Sequence, residues 1–370
     1  FRGQVPKKTL EDDFFGVLDE VEALSRRQAA EPTAAPASTM TPAERDEAFA
    51  FLRNPHLIDC ILEDLVRLGV VGENDNKLLA YLVGTSRKLG RPLSLSVISR
   101  ASAGKSWLLN VVLDLMPPEE VLRYTRMSPR ALFYAEPGRY KNKILFIEEA
   151  IGAKDADLGV RSMQSEKRLA NLVTMTDPKT GQLKTQETVV KGPLTYITSS
   201  VDQLDHETAT RSFEIAIDES ADQTARVVAR QFYERTLAGI QDKLTTDAIL
   251  ARHRNTQRLL ETLVVVNPYA PQLTFPADTL RLRREAGKYL SLMDALALLH
   301  QHQRPIRTFE RAGKVYRYVE VTRDDVDRAN RLMASCLVRA LSDLTGPAEK
   351  LLLAIRDYVQ TESDTRGSEV

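Results

Sequence analysis

Ser99-Arg-Ala-Ser-Ala-Gly-Lys-Ser106 is the stretch that decides how this chain is read. An apolar run, Leu93-Ser-Leu-Ser-Val-Ile98, precedes it and another, Trp107-Leu-Leu-Asn-Val-Val-Leu113, follows. That order predicts a buried strand, a tight loop and a helix, with Gly104-Lys-Ser106 where the helix begins. Small residues let backbone N–H groups wrap a phosphate, and the helix N-terminus adds partial positive charge. A lysine then reaches the outer phosphates and a hydroxyl holds a divalent cation. Ser102, Ala103, Gly104, Lys105, Ser106 and Trp107 are therefore the candidate nucleotide-binding residues, with Lys105 on the outer phosphates of ATP and Ser106 on Mg²⁺. Ser99 stands where the first glycine of the usual pattern would be.

About forty residues further on, Lys143-Ile-Leu-Phe-Ile-Glu-Glu149 predicts a buried strand that delivers two carboxylates at its C-terminal end. Such a strand is the usual partner of a phosphate loop, one acid serving the metal and the next polarising the attacking water. Glu148 takes the metal position, where Asp is commoner, and Glu149 the water position. A core strand ending in a solvated acidic turn would look the same in isolation. Its distance from the Gly-Lys-Ser string favours the catalytic reading.

The chain has 370 residues, 43% of them hydrophobic, enough for two or three domains. Its 51 basic residues balance 51 acidic ones, so any nucleic-acid surface must be a local patch rather than a global field. Cys60 and Cys336 lie far apart in apolar helical patterns, which fits a reducing cytosol and no zinc site. No run of eighteen apolar residues suggests a membrane span, and no signal-peptide pattern opens the chain. It begins on Phe1 rather than Met, as a piece excised from something longer would.

Along the chain, residues 1–40 read as one helix, Leu10 to Leu24, and a linker rich in Ala, Pro, Ser and Thr from 28 to 40. Residues 41–90 read as helices packed on the core, with apolar spacing through Leu57, Ile61, Leu65 and Leu68 and a breaker from Gly69 to Asn76. Strands are expected at Leu93–Ile98, Val121–Thr125, Ile144–Glu148, Leu194–Thr198 and Phe213–Ile217. A β-hairpin is expected at about 173–191, with Pro178-Lys-Thr-Gly-Gln182 at its tip. Residues 221–345 read as mostly helical, with a second hairpin at 305–322 around Ala312-Gly313. Thr322 is placed to cap the last helix. Gly346-Pro-Ala-Glu-Lys-Leu-Leu-Leu-Ala-Ile355 reads as the opening helix of a further domain, a winged helix being one candidate.

The order of phosphate loop, acidic strand, helix, lysine-bearing hairpin and Pro193-Leu-Thr-Tyr-Ile-Thr-Ser-Ser200 resembles AAA+ ATPases. More narrowly it resembles the minichromosome-maintenance-like helicases that phage and other mobile elements carry beside zinc-finger or primase domains. Supporting strings are Ile147-Glu-Glu-Ala150, Glu207-Thr-Ala-Thr-Arg-Ser-Phe213, Asp218-Glu-Ser220 with Gln223, and Leu299-His-Gln-His-Gln-Arg304. The resemblance covers about residues 45–345. It implies an α/β fold: a three-layer αβα core at 91–220 with a parallel sheet and an inserted hairpin, and a small helical lid at 221–345.

The resemblance also implies roles. Ser200, at the end of a strand lying between the two nucleotide strands, would sense the γ-phosphate, with Thr198 and Ser199 as alternatives. Arg211 would be an arginine finger on a neighbouring subunit's ATP; a surface arginine paired with Glu207 or Glu214 is the ordinary alternative. Lys288 aligns with a second basic sensor, with Arg283 and Arg284 as competitors. A finger acting between subunits implies a hexameric ring. Each subunit would present Lys179, Gln182 and Lys184 to single-stranded or forked DNA in the channel, and Lys191 reads as a solvated face. A primase domain or replication proteins would be further partners, in a bacterial or phage-encoded cytoplasmic protein without membrane contact. The expected activity is that of an ATP-dependent DNA helicase. An AAA+ remodeller or loader acting on proteins is the second reading and a monomeric P-loop kinase the third.

Overall fold

The computed structural model describes residues 40–100, 104–128, 131–136, 138–148, 154–176, 183–200, 206–276, 279 and 281–341. The expected N-terminal helix, most of its linker and the segment from residue 346 lie outside them.

Three helices open the described chain: α1 (Pro42–Leu52), α2 (Leu57–Arg67) and α3 (Asn74–Thr85). The apolar spacing read from sequence is the buried face of α2, where Leu57, Ile61 and Leu65 are all fully covered. The breaker is shorter than expected. Gly69 and Gly72 both take positive φ, and α3 resumes at Asn74.

The αβ core follows as β1 (Leu95–Ile98), α4 (Lys105–Asp114), β2 (Val121–Tyr124), β3 (Lys143–Ile147) and α5 (Lys154–Glu166). Next come the hairpin strands β4 (Arg168–Thr176) and β5 (Leu183–Lys191), then β6 (Leu194–Ser200), α6 (His206–Ala209) and β7 (Phe213–Ile215). Five of these strands form one parallel sheet in the order β2-β3-β6-β1-β7. All five strands expected from the apolar runs are present. β3 is a continuous apolar run, and in β1 and β6 the intervening Ser96, Thr195 and Thr198 are buried as well, because both faces of a parallel sheet are covered.

Alternation along β3 sorts its side chains between two cores. Ile144 and Phe146 join the large cluster with α2, α3 and α4, whereas Leu145 and Ile147 join Val160 and Met163 of α5 on the other face. The result is the three-layer αβα arrangement of a P-loop domain. The second core also holds the base of the hairpin, where Leu169 of β4 pairs with Val190 of β5, both buried. The hairpin is thus longer than read from sequence, starting at Arg168. Further out it leaves the core, and Leu172 is 70% exposed.

The remaining elements are α7 (Ala221–Tyr233), α8 (Leu237–Lys243), α9 (Thr246–Leu259), β8 (Val264–Val266), α10 (Leu282–Leu299), β9 (Arg307–Arg311), β10 (Lys314–Glu320) and α11 (Arg323–Leu341). Thr322 precedes α11 as expected, and its N–H and hydroxyl both donate to Asp325 Oδ2, at 2.8 and 3.1 Å. The second hairpin is present, and β8 extends it to a three-stranded sheet, β8-β10-β9, that the sequence reading missed. Leu292, Leu296 and Leu299 of α10 lie in the same core cluster as α3 and β1, so packing is continuous across residues 90/91 and 220/221.

A buried polar chain ties α2, α3 and α9 together. His253 accepts or donates at both ring nitrogens, to Tyr81 Oη (3.1 Å) and Asp64 Oδ2 (3.0 Å), while Arg252 donates to the same carboxylate oxygen at 2.6 Å. Burial raises the Asp64 pKa, but the hydrogen bonds from His253 and Arg252 outweigh it and hold the carboxyl below its ordinary value. Arg87, fully buried, links Gln257 (2.8 Å) to Glu120 (2.7 Å). Each charge in this chain has a partner, as low-dielectric burial demands.

Candidate nucleotide site

β1 ends at Ile98 and α4 begins at Lys105, so the loop that decides the fold sits at the C-terminal edge of the sheet. Ser102 and Ala103 lie outside the described residues; the loop's two ends do not. Gly104 has φ +94°, a conformation open to glycine, and a Cβ there would meet nothing within 4 Å. That bare backbone at a helix N-terminus is the cradle a phosphate needs.

Lys105 folds back over the loop. Its Nζ donates to Arg100 O at 2.7 Å and to Ser99 O. Burial pushes its pKa down, with the Glu219 carboxylate opposing. An ammonium held by two carbonyls at the mouth of the loop fits a group that exchanges them for phosphate oxygens. Ser106 is exposed in the first turn of α4.

Ser99 explains its own departure from the glycine pattern. It is 7% exposed, is not among the described residues with positive φ, and its Oγ accepts the Ile217 N–H at 2.8 Å. A hydroxyl here fastens the phosphate loop to the segment leaving β7. The next residue repeats the link, with Arg100 N–H donating to Glu219 Oε1 at 3.1 Å.

The acidic strand lies where expected. Glu148, half-buried, immediately follows β3, its N–H bonded to Tyr124 O (3.1 Å) and its carbonyl accepting from Ser199 Oγ (2.6 Å). Glu149 lies outside the described residues. β6 runs between β1 and β3, as the sequence reading required of the strand carrying Ser200. Thr198 and Ser199 spend their hydroxyls on the carbonyls of Ile147 at the end of β3 (2.9 Å) and of Glu148 just after it. Ser200 sits at the strand tip, paired with Ile98, and its carbonyl accepts the Ser99 N–H at 3.4 Å. Of the three residues, Ser200 is the one whose backbone bonds to the start of the phosphate loop.

A cavity of about 420 Å³ opens next to Gly104. Trp107, Leu108 and Val70 form its apolar side, Ile217 its inner wall, and Gln223, Val227 and Arg230 of α7 close it. The Trp107 indole donates to Gly69 O at 3.2 Å. α7 is latched over the same loop, Gln223 Nε2 donating to Val71 O at 2.7 Å and an Arg230 guanidinium N–H to Arg67 O at 2.8 Å. Sequence reasoning found Trp107 through the motif but missed Val70 and Val227, which only the fold brings to it.

The basic residues expected at the nucleotide divide differently. Phe213 N–H donates to Ser94 O at 2.8 Å, so the start of β7 lies level with the residue preceding β1, at the edge opposite the phosphate loop. Five residues of extended chain separate Ser94 from Ser99, about 16 Å. Arg211 lies just before β7, its guanidinium donating to Glu207 O (2.7 Å) and Ser165 Oγ (3.2 Å). The Glu207 carboxylate is paired with Arg161.

Lys288 lies at that same edge. It is largely covered, paired with Glu285 (2.8 Å), donates to Ser212 O at 2.8 Å and lies over the Phe213 ring. Burial lowers its pKa, opposed by Glu285. Held at the far edge of the sheet, it does not face its own phosphate loop. Its competitor Arg284 is exposed on the same helix and donates to Thr210 Oγ1, beside Arg211; Arg283 is also exposed. In the hairpin, Lys184 sits in β5 opposite Met175, near the outer end, and Lys191 is exposed at the base. Lys179 and Gln182 lie outside the described residues.

Among the described residues no group of three or more His, Cys, Asp or Glu side chains could hold a metal by itself. The donors present, Ser106 and Glu148, suit an Mg²⁺ held jointly with phosphate oxygens. Nor is any helix among the described residues long and apolar enough to cross a membrane.

A strand–loop–helix with Gly-Lys-Ser at the sheet's C-terminal edge, faced by an acidic strand, defines a P-loop NTPase, a class that binds nucleotide with Mg²⁺. A family model, the MTBMA_p00010 P-loop domain, matches residues 40–254, more than half of the chain, and the chain belongs to that family. No curated protein matches it.

Proposed function

We propose that the chain is a ring-forming ATPase of the AAA+ kind that moves on DNA, resembling the minichromosome-maintenance-like helicases of mobile elements. The observation that carries the ring is the separation of Arg211 from its own phosphate loop by the length of the sheet. A cation there can act on nucleotide only across an interface, so a neighbouring copy would complete each site. Arg284, exposed beside Arg211, would act with it. The inserted strand β6, which brings Ser200 next to the phosphate loop, supports the AAA+ assignment.

The roles then follow. The cavity beside Gly104 takes the nucleoside, with the base against Trp107. Gly104 and Lys105 hold the phosphates, and Ser106 and Glu148 would hold Mg²⁺, which when bound supplies charge neutralisation on the phosphates. Glu149 orients water and Ser200 senses the outer phosphate. An arginine finger such as Arg211 is worth about a thousandfold or more in rate. The β4–β5 hairpin, anchored by Leu169 and Val190 but solvated further out, adds ordering cost and little burial, which favours a working role for Lys179, Gln182 and Lys184 on DNA.

The protein-remodelling alternative draws on one observation. Along α7 and α8, Phe232, Leu237, Ile240 and Leu244 are exposed by 52–80%, a stripe suited to a protein contact. Hydrolysis measured with and without single-stranded DNA separates the readings. The helicase reading expects stimulation by DNA that Lys184→Ala removes while basal turnover stays. Unchanged turnover with DNA, in rings that hydrolyse ATP, favours the remodeller.

A further inference from the structure

The β9–β10 hairpin carries an arrangement that the ATPase does not use. Its two-residue turn, Ala312-Gly313, has both residues at positive φ (52° and 72°), the tight type I′ geometry that holds a hairpin in register. The pairs are Arg311 with Lys314, Phe309 with Tyr316, and Arg307 with Tyr318. Because side chains alternate along a strand, these six share one face. The rings of Phe309 and Tyr316 stack at 5.0 Å and 11°, and Tyr318 lies 5.9 Å from Phe309. On the opposite face Val319, at the base, is fully buried, while Val315 near the tip is 67% exposed. The hairpin's base is clamped by Arg304, which donates to both oxygens of fully buried Asp325 at 2.6 and 2.8 Å.

Three rings flanked by three cations on a solvent-facing ribbon are poorly explained by stability. Phe309 remains 41% exposed and all of β9 is exposed, while Tyr316 and Tyr318 on β10 are half-buried. Arg307 is paired with Glu320 at 2.8 Å, but Arg311 and Lys314 at the tip make no ion pair among the described residues. In a chain whose net charge is zero, residues 307–320 hold four cations and two acids. Cations attract any polyanion. Flat rings between them select one that offers unstacked π faces, which a duplex covers and an acidic polypeptide lacks.

We infer that this face is a second single-stranded nucleic-acid site, in which bases stack on Phe309, Tyr316 and Tyr318 while Arg311 and Lys314 hold backbone phosphates. The site is separate from the β4–β5 hairpin and stands whether or not Lys184 touches DNA.

The test uses the full chain without nucleotide and fluorescence anisotropy of a labelled oligothymidine, an abasic strand of equal length and a duplex. Oligothymidine should bind more tightly than the other two. Tyr316→Ala and Phe309→Ala should each weaken oligothymidine about fivefold to a hundredfold, leave the abasic strand unchanged, and Tyr316→Phe should bind as the parent does. Arg311→Gln with Lys314→Gln should weaken both strands and lower the salt slope by about 0.7 per lost contact. An oligonucleotide carrying 5-iododeoxyuridine should photocrosslink to the ring residues, and still do so in Lys184→Ala protein, a readout independent of whether the alanine variants fold. Equal affinity for oligothymidine and abasic strand, crosslinks confined to other segments, or displacement by polyglutamate as effective as by oligothymidine would overturn the site.

Discussion

Replacing Ser99 with glycine would restore the residue that phosphate loops usually carry, and the structure predicts that the change weakens the protein. Ser99 is 7% exposed and its Oγ accepts the N–H of Ile217, itself 9% exposed. Removing that acceptor strands a buried donor, at a cost of about 1–3 kcal/mol. Glycine adds unfolded-state entropy of about 0.5–1 kcal/mol, with no strain relieved because Ser99 does not have positive φ. The expected loss for Ser99→Gly is the sum, about 1.5–4 kcal/mol, and Ser99→Ala should show only the hydrogen-bond part. Ile217 also walls the cavity beside the phosphate loop, so ATP affinity should fall with stability. Trp107 is the chain's single tryptophan and lines that cavity, so its fluorescence follows urea unfolding and ATP binding in one sample. A Ser99→Gly protein with an unchanged or higher urea midpoint at equal slope, and equal or faster turnover, would show that the Ser99–Ile217 bond does not hold the loop.

Other expectations concern the interface and the buried polar chain. Arg211→Ala should bind ATP normally yet fail to hydrolyse it alone, and should regain activity when mixed with Lys105→Ala subunits; verified mixed rings with no recovery would make Arg211 structural. Burial holds the His253 pKa below its ordinary value, so this group stabilises the fold above its unfolded pKa of about 6.5, and the contribution fades as pH falls below that. Thermal unfolding should therefore drop on acidification through this range, and His253→Gln should flatten the dependence; parallel curves for the two proteins would contradict it.

What was legible in the sequence follows from which signals are local. The five sheet strands are short apolar runs at turn boundaries, and the phosphate loop is a contiguous string, so both could be read directly. The position of β6 between β1 and β3 was expected through resemblance and is the observed order. Three features needed tertiary context. Val264–Val266 is too short to stand out as a strand and forms by pairing with Tyr318–Glu320 of β10, far along the chain. Lys288 reads from sequence as one of several basic residues on a solvated helix face, and only the fold brings it against Glu285 and the Ser212 carbonyl. The Asp64–His253–Tyr81 chain joins three helices through residues that each look unremarkable in their own segment.

If nucleotide binds and is hydrolysed at the loop between β1 and α4, ATP turnover of the parent and of Lys105→Ala must differ. Lys105 lies over its loop carbonyls rather than in the hydrophobic core, so its loss should leave the unfolding midpoint close to that of the parent. The parent should show Mg²⁺-dependent hydrolysis and the folded variant none above background. Near-normal turnover by folded Lys105→Ala protein would contradict it.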